Sequence, residues 1–252
     1  MTPFRHALVT GGGTGVGKAI ALALAGEGLS VTICGRREAP LAETAGQSEH
    51  IHALTADVTD EAAMAAVHEH AEAARGPLDI VVANAGMAVS GPAARTSHDD
   101  WRRTLDVNLT GAFLTVKPAL AGMARRKAGR IVFVASTAGL KGYAYVAPYV
   151  AAKHGVIGLM RALAAENAKT GVTVNAVCPS FVETDMLDAS IGRIVERTGR
   201  SVEEARASLA SANPQGRFVQ PPEVAAAVLW LCSDLAGSIT GQAISISGGE
   251  TW

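Results

Sequence analysis

Tyr149 and Lys153 stand four residues apart in the run Tyr149-Val150-Ala151-Ala152-Lys153, and side chains at that spacing share one face of a helix. A free phenol titrates at a pKa of about 10 and a free lysine at about 10.4, so neither alone is a good acid or base near neutral pH. A cation beside the phenol favours phenolate and lowers its pKa, which makes the pair a candidate proton donor. Ser136 lies thirteen residues upstream of Tyr149. It ends the strand-like run Arg130-Ile131-Val132-Phe133-Val134-Ala135, where its hydroxyl can bond a substrate oxygen. Asn108 offers a further polar group. Alone, a tyrosine and a lysine four apart describe a solvated helix face equally well, and their company decides between the two.

That company begins with His6-Ala7-Leu8-Val9-Thr10, a short buried strand, followed by Gly11-Gly12-Gly13-Thr14-Gly15-Val16-Gly17 and an amphipathic helical stretch over 18–26. Glycines admit positive φ and close approach of the backbone to a ligand. The first turn of the next helix presents free N–H groups and a positive dipole end to a pyrophosphate. Gly12, Gly17 and Lys18 nearly spell a P-loop, but Ala19 stands where that motif needs Ser or Thr for magnesium. The strict G-x-G-x-x-G fingerprint also fails, because Lys18 follows where its third glycine belongs. The spacing that fits is T-G-x-x-x-G-x-G, from Thr10 to Gly17.

The elements that must position these residues follow from hydrophobic periodicity. Strand-length apolar runs at 30–34, 51–53, 79–83, 131–135, 172–177 and 243–247 alternate with helical stretches, which predicts an α/β fold with a doubly wound parallel sheet. Continuous Ile80-Val81-Val82-Ala83 suits a sheet covered by helices on both faces. Ligands of such sheets bind beyond the carboxyl ends of the strands, where Thr10, Asn84, Ser136 and Cys178-Pro179 all fall. With 252 residues, 48% of them hydrophobic, the chain can bury one sizeable core, and a single domain over 1–252 is the simplest expectation.

Composition narrows the partners. A formal net charge of −1 gives no electrostatic case for nucleic acid or an anionic membrane, and no apolar run approaches the ~20 residues of a membrane span. Met1-Thr2-Pro3-Phe4-Arg5-His6 runs directly into the first strand, so no signal peptide is expected. Cys34, Cys178 and Cys232 are odd in number and scattered, which argues for buried thiols in a reduced, cytoplasmic setting rather than a disulfide framework. His68 and His70 point to different helix faces with no completing carboxylate, so no metal site is expected. The charge-rich stretch 193–206 reads as a solvated helical face.

Taken together, Thr10 to Gly17, Ser136, Tyr149 and Lys153 resemble the short-chain dehydrogenase/reductase family, from the first strand to the last residues. Asp57-Val58 is similar to its adenine-contacting pair, Asn84-Ala85-Gly86 to its turn after the fourth strand, and Asn108-Leu109-Thr110-Gly111 to the helix segment carrying its catalytic Asn. The segment from Pro179 to Met186, with Val182 and Thr184, resembles the one that meets the nicotinamide, although the family has glycine where Ser180 stands. The resemblance implies a Rossmann fold, a helical substrate lid over about 185–218, and a homotetramer paired through the helices at 108–127 and 148–169. It implies hydride transfer between a nicotinamide and a carbonyl or secondary alcohol carbon. Tyr149 then gives or takes the proton, Ser136 bonds the oxygen, Lys153 tunes the phenol and holds the nicotinamide ribose, and Asn108 completes a relay. Among the glycine-turn residues, Gly11, Gly13, Thr14, Gly15, Val16 and Gly17 are the expected cofactor contacts.

Cofactor choice turns on Cys34-Gly35-Arg36-Arg37-Glu38. NAD enzymes place an acid near the end of the second strand, where this chain has Gly35 and Arg36. An arginine makes a forked contact with a 2′-phosphate, so NADP(H) is the expected cofactor, through Arg36 and then Arg37; NAD(H) stays open because Glu38 can reach a ribose. The substrate is expected to be a ketone or alcohol, with a 3-oxoacyl thioester or other uncharged bulky ketone favoured. Ala88, Ala138 and Val146 stand where hydroxybutyrate dehydrogenases hold a free carboxylate, and Tyr143, Tyr145 and Phe181 are candidate substrate contacts. A dehydrogenase of small alcohols or hydroxy acids, and a regulatory protein that binds the dinucleotide without turnover, are the alternatives.

Overall fold

A computed structural model describes residues 4–252; the reading of Met1-Thr2-Pro3 falls outside the described residues. Seven parallel strands form one sheet: β1 His6–Thr10, β2 Ser30–Gly35, β3 Ile51–Thr55, β4 Ile80–Ala83, β5 Gly129–Val134, β6 Val172–Pro179 and β7 Ala243–Ile246, in the order β3-β2-β1-β4-β5-β6-β7. The order reverses direction between β1 and β4, which pair in register from Ala7↔Ile80 to Val9↔Val82. A crevice at such a reversal is where ligands of doubly wound sheets bind. The fold is the one expected, with strand ends displaced by one or two residues.

Side chains alternate across the sheet into two cores. Leu8, Val81 and Phe133 face one side, where Met64 and Val67 of α3 (Glu61–Arg75), Met123 of α5 (Gly111–Arg126) and Met160 of α6 (Ala147–Asn167) cover them. Val9, Ile33, Val82 and Val132 face the other, under α1 (Gly15–Gly26), α2 (Glu38–Ala45) and α9 (Pro221–Cys232). The edge strand β3 is buried only at Ile51 and opens along the rest of its length, whereas β1, β4, β5 and β6 are buried throughout, as strands covered on both faces must be.

Two helices begin earlier than periodicity suggests. α1 starts at Gly15 rather than 18, because Thr14 takes the extended N-cap conformation. The helix placed at 108–127 is the continuation of α4 (His98–Leu105), which Ser97 caps by accepting from the Asp100 N–H at 3.0 Å. Between α4 and α5 the backbone widens into a π turn over Asp106–Thr110, a feature that frequently marks functional sites. The lid is two helices, α7 (Asp185–Thr198) and α8 (Val202–Ala210), around a small core of Leu187, Ile191, Ala205 and Phe218. No helix among the described residues is long and apolar enough to cross a membrane.

Candidate active site

The glycine turn is built for backbone exposure. Gly11 has φ +66° and Gly15 φ +53°, left-handed values that favour glycine. A Cβ on Gly11 would lie 2.9 Å from Asn84 Nδ2, and one on Gly17 would overlap the Gly11 carbonyl. Thr14 makes no side-chain cap hydrogen bond, so no capping side chain satisfies the first-turn N–H groups of α1 beside the crevice. The turn is fastened to β4: Thr10 Oγ1 accepts from the Asn84 and Ala85 N–H groups at 3.0 and 3.1 Å, and Asn84 Nδ2 donates to the Thr10 carbonyl at 2.8 Å. Lys18 pairs instead with Glu43 at 2.8 Å.

Ser136 follows β5, and Tyr149 and Lys153 come from the first two turns of α6. The Ser136 hydroxyl favours phenolate at Tyr149, but burial is the larger effect and pushes the phenol up. Lys153 is 5% exposed; its Nζ donates to the Val134 carbonyl at 2.8 Å and lies 5.5 Å from the Tyr149 ring centre. Burial pulls this ammonium down to about 8. The pair thus meets on one helix face as its spacing requires, yet the electrostatic balance differs from the sequence expectation. In the protein alone desolvation keeps the phenol protonated, and Ser136 rather than Lys153 is the group that opposes it.

Asn108 lies in the π turn, 1% exposed. Its Nδ2 donates to the Met87 and Thr104 carbonyls at 2.8 and 2.9 Å, and its Oδ1 accepts from the Met87 N–H at 3.3 Å. Both amide hydrogens are therefore committed to backbone, and the side chain fixes the 84–87 turn. Gly86 allows this, since a Cβ there would lie 2.8 Å from Asn108 Oδ1.

A cleft of about 1400 Å³ opens along the carboxyl ends of the strands. Every candidate cofactor residue lines it, from the glycine turn through Arg36, Arg37, Asp57, Val58, Asn84, Ala85 and Gly86 to Pro179, Val182 and Thr184, together with Asn108, Ser136, Tyr149 and Lys153. Arg36 also borders an adjoining recess of about 450 Å³ with Asp57 and Arg103. The Asp57 carboxyl accepts from Thr59 N–H and hydroxyl at 3.0 and 2.8 Å, and this backbone bond above all holds its pKa low, with Arg36 and Arg103 adding to it. The exposed backbone at the glycine turn, with space that side chains would fill, fits a dinucleotide pyrophosphate. Arg36 and Asp57 line the same cleft, available to an adenosine end.

At the other end, Ala88, Ala138 and Val146 line the cleft beside Tyr143, Tyr145 and Phe181. Tyr145 takes φ +67°, a costly value for an aromatic residue, while its carbonyl accepts from the Gly91 N–H at 2.7 Å. The stretch 193–206 is not one solvated face. Gly199 ends α7 at φ +70°, and Ser201 with Glu204 forms a capping box that starts α8. Arg193, Arg197 and Arg200 line the cleft, Arg197 donates to the Ser90 carbonyl at 2.9 Å, and Arg206 pairs with Glu183. Sequence reasoning missed these lid arginines; Ser201-Val202-Glu203-Glu204, a helix-start signature, is the signal that could have exposed the break. Cys34, Cys178 and Cys232 are free and buried, with burial pushing their thiols up to about 12, 11 and 12. His68 bonds the Thr115 carbonyl at 2.9 Å, and His70 bonds Ala66 in its own helix.

Comparison with known proteins agrees with this geometry. The chain is 41% identical over 249 residues to the granaticin polyketide synthase putative ketoacyl reductase 1 of Streptomyces violaceoruber, covering 96% of this chain and 92% of that one. It is 36% identical over 250 residues to the D-beta-hydroxybutyrate dehydrogenase of Cupriavidus necator, covering 97% of each. A crystal structure of an actinorhodin polyketide ketoreductase variant with NADPH superimposes with a TM-score of 0.95 at 39% identity, covering 98% of this chain and 97% of that one. Residues 5–192 match the short chain dehydrogenase family. The chain belongs to that family and is an NAD(P)-dependent oxidoreductase that interconverts a ketone and a secondary alcohol.

Proposed function

We propose that the protein is an NADPH-dependent reductase of 3-oxoacyl thioesters or similarly bulky, uncharged ketones. The observation that carries this reading is the apolar wall of Ala88, Ala138 and Val146 in the same cleft as Ser136 and Tyr149. A small free acid finds no carboxylate-binding group among those three, whereas an acyl chain can be buried against them. The ketoacyl reductase and ketoreductase relatives support the same substrate class. Arg36 at the adenosine end, with Arg103 across the recess, supports a 2′-phosphate and hence NADP(H).

When bound, a reduced nicotinamide supplies hydride to the carbonyl carbon. Tyr149, held protonated by burial, donates its proton to the developing alkoxide, which completes the alcohol. Ser136 hydrogen-bonds that oxygen, and the Lys153 ammonium stabilises the phenolate left on Tyr149 until solvent returns a proton. Acid help of this kind is typically worth on the order of 10² to 10⁴ in rate. Asn108 keeps the 84–87 turn in place, and Pro179, Val182 and Thr184 border the nicotinamide end.

The same reading makes the protein a cytoplasmic homotetramer. Three buried free thiols suit a reducing compartment. Trp101 of α4 and Phe113 of α5, 40% and 37% exposed, are apolar side chains open to subunit pairing, while Val156 and Leu163 of α6 belong to the core. A turnover screen of 3-oxoacyl thioesters, cyclic ketones and 3-hydroxybutyrate with each nicotinamide tests the proposal, NADPH-dependent thioester reduction being expected. Preferential oxidation of 3-hydroxybutyrate would refute it and assign Arg193 or Arg197 to a carboxylate.

A further inference from the structure

A buried carboxylate near the C-terminal end joins the two loops that flank the proposed acid. Glu250 follows β7, and only 1% of its side chain is exposed. Its Oε1 accepts from the Tyr143 hydroxyl at 2.5 Å and pairs with the Lys141 ammonium at 3.0 Å, while its Oε2 accepts from the Ser180 hydroxyl. Tyr143 spends its one hydroxyl hydrogen on Glu250, so the Thr137 hydroxyl, 2.6 Å away, donates to the Tyr143 oxygen. Thr137 is the neighbour of Ser136. Lys141 also lies 4.9 Å from the Tyr143 ring centre, and that ring meets Phe181 edge to face at 6.5 Å.

One carboxylate therefore ties the loop after β5 to the loop after β6. Burying a carboxylate is costly unless donors surround it, and here three donors do. Such a network specifies positions that an apolar contact of equal volume leaves free to slide. It also accounts for Ser180, which stands where the family resemblance carries glycine: its hydroxyl is one of the three donors.

We propose that Glu250 is a positioning residue that sets the Tyr143–Phe181 wall of the substrate cleft by tying the loop after β5 to the loop after β6. The proposal rests on the reading of Ser136 and Tyr149 as the reacting pair. Tyr143 then shapes the cleft with its ring and is not a hydrogen-bond donor to substrate.

Glu250→Gln removes the charge at nearly constant volume, and Tyr143→Phe cuts only the phenol's link to it. Both are examined by amide hydrogen exchange and by steady-state kinetics on a 3-oxoacyl thioester. In each variant, exchange over 137–145 is expected to rise about tenfold or more with β4 and β5 unchanged; in Glu250→Gln the same holds for 180–184. The thioester KM is expected to rise about tenfold while kcat stays within about threefold, the pattern of lost positioning rather than lost chemistry. The double variant should be no worse than the poorer single one, because both changes break the same link. Unchanged exchange in Tyr143→Phe, or an unchanged KM in a folded variant, would overturn the proposal. If the unaltered protein fails to reduce any thioester, the substrate reading falls, and the exchange measurement still decides whether Glu250 holds the two loops.

Discussion

Lys153 places its ammonium 5.5 Å from the centre of the Tyr149 ring and donates to the Val134 carbonyl at 2.8 Å. The group meant to tune the phenol is thus itself perturbed, pulled down to about 8 by burial, while burial pushes Tyr149 up. Between neutral pH and about 8 the phenol is an intact acid and the lysine a cation. Above that range the cation is lost first. The kcat/KM for ketone reduction is expected to be level up to about pH 8 and to fall above it, with Lys153 setting the alkaline limb. A profile level to pH 10 would show that another group supports the phenolate.

The same burial ties Lys153 to stability. Its folded pKa lies below the ordinary 10.5, so between about 8 and 10.5 the unfolded chain binds more protons, and stability from this residue rises with pH across that window. The unfolding free energy of the native protein should gain on that of Lys153→Met by on the order of 3 kcal/mol between pH 7 and 10.5. Denaturant titrations of both at several pH values measure it, and a constant difference would contradict it.

Gly86→Ala places a Cβ 2.8 Å from Asn108 Oδ1, against an amide already committed to Met87 and Thr104. Forced repacking of this kind costs about 1–3 kcal/mol, and NADPH affinity should drop with it because the 84–87 turn shifts. Gly192→Ala is the contrast: it is exposed on α7 with nothing near its Cβ, so removing a helical glycine should stabilise by about 0.5–1 kcal/mol. Thermal unfolding and NADPH fluorescence titration separate the two.

Arg36→Asp exchanges a cation bordering the recess with Asp57 and Arg103 for an anion. The ratio of kcat/KM with NADPH to that with NADH should fall by at least about a hundredfold, or ~2.7 kcal/mol. An unaltered ratio would assign the 2′-phosphate contact to Arg37 or Arg103.

Much of this was legible in the residues because it rests on short-range patterns. The strands show as apolar runs, the glycine turn needs φ values that few other residues tolerate, and Tyr149 and Lys153 meet through helix geometry alone. What was hidden depends on distant partners or on several opposing effects. Glu250 meets Tyr143 across 107 positions, and no local pattern announces that contact. Asn108 holds the 84–87 turn through the Met87 backbone, 21 positions away, a contact that its own helix segment does not announce. The helix break at Gly199, which sets Arg193 and Arg197 along the cleft, is hidden within a stretch of mixed charges. The raised phenol reflects burial, which spacing does not reveal.

The assignment of Tyr149 as proton donor is tested most directly by Tyr149→Phe, which keeps the ring and removes only the transferable proton. NADPH affinity, measured by fluorescence titration, should stay within about threefold, while turnover of the best ketone falls by at least ~10². A variant that retains more than about a tenth of the native rate, a loss below ~1.4 kcal/mol, would contradict the account.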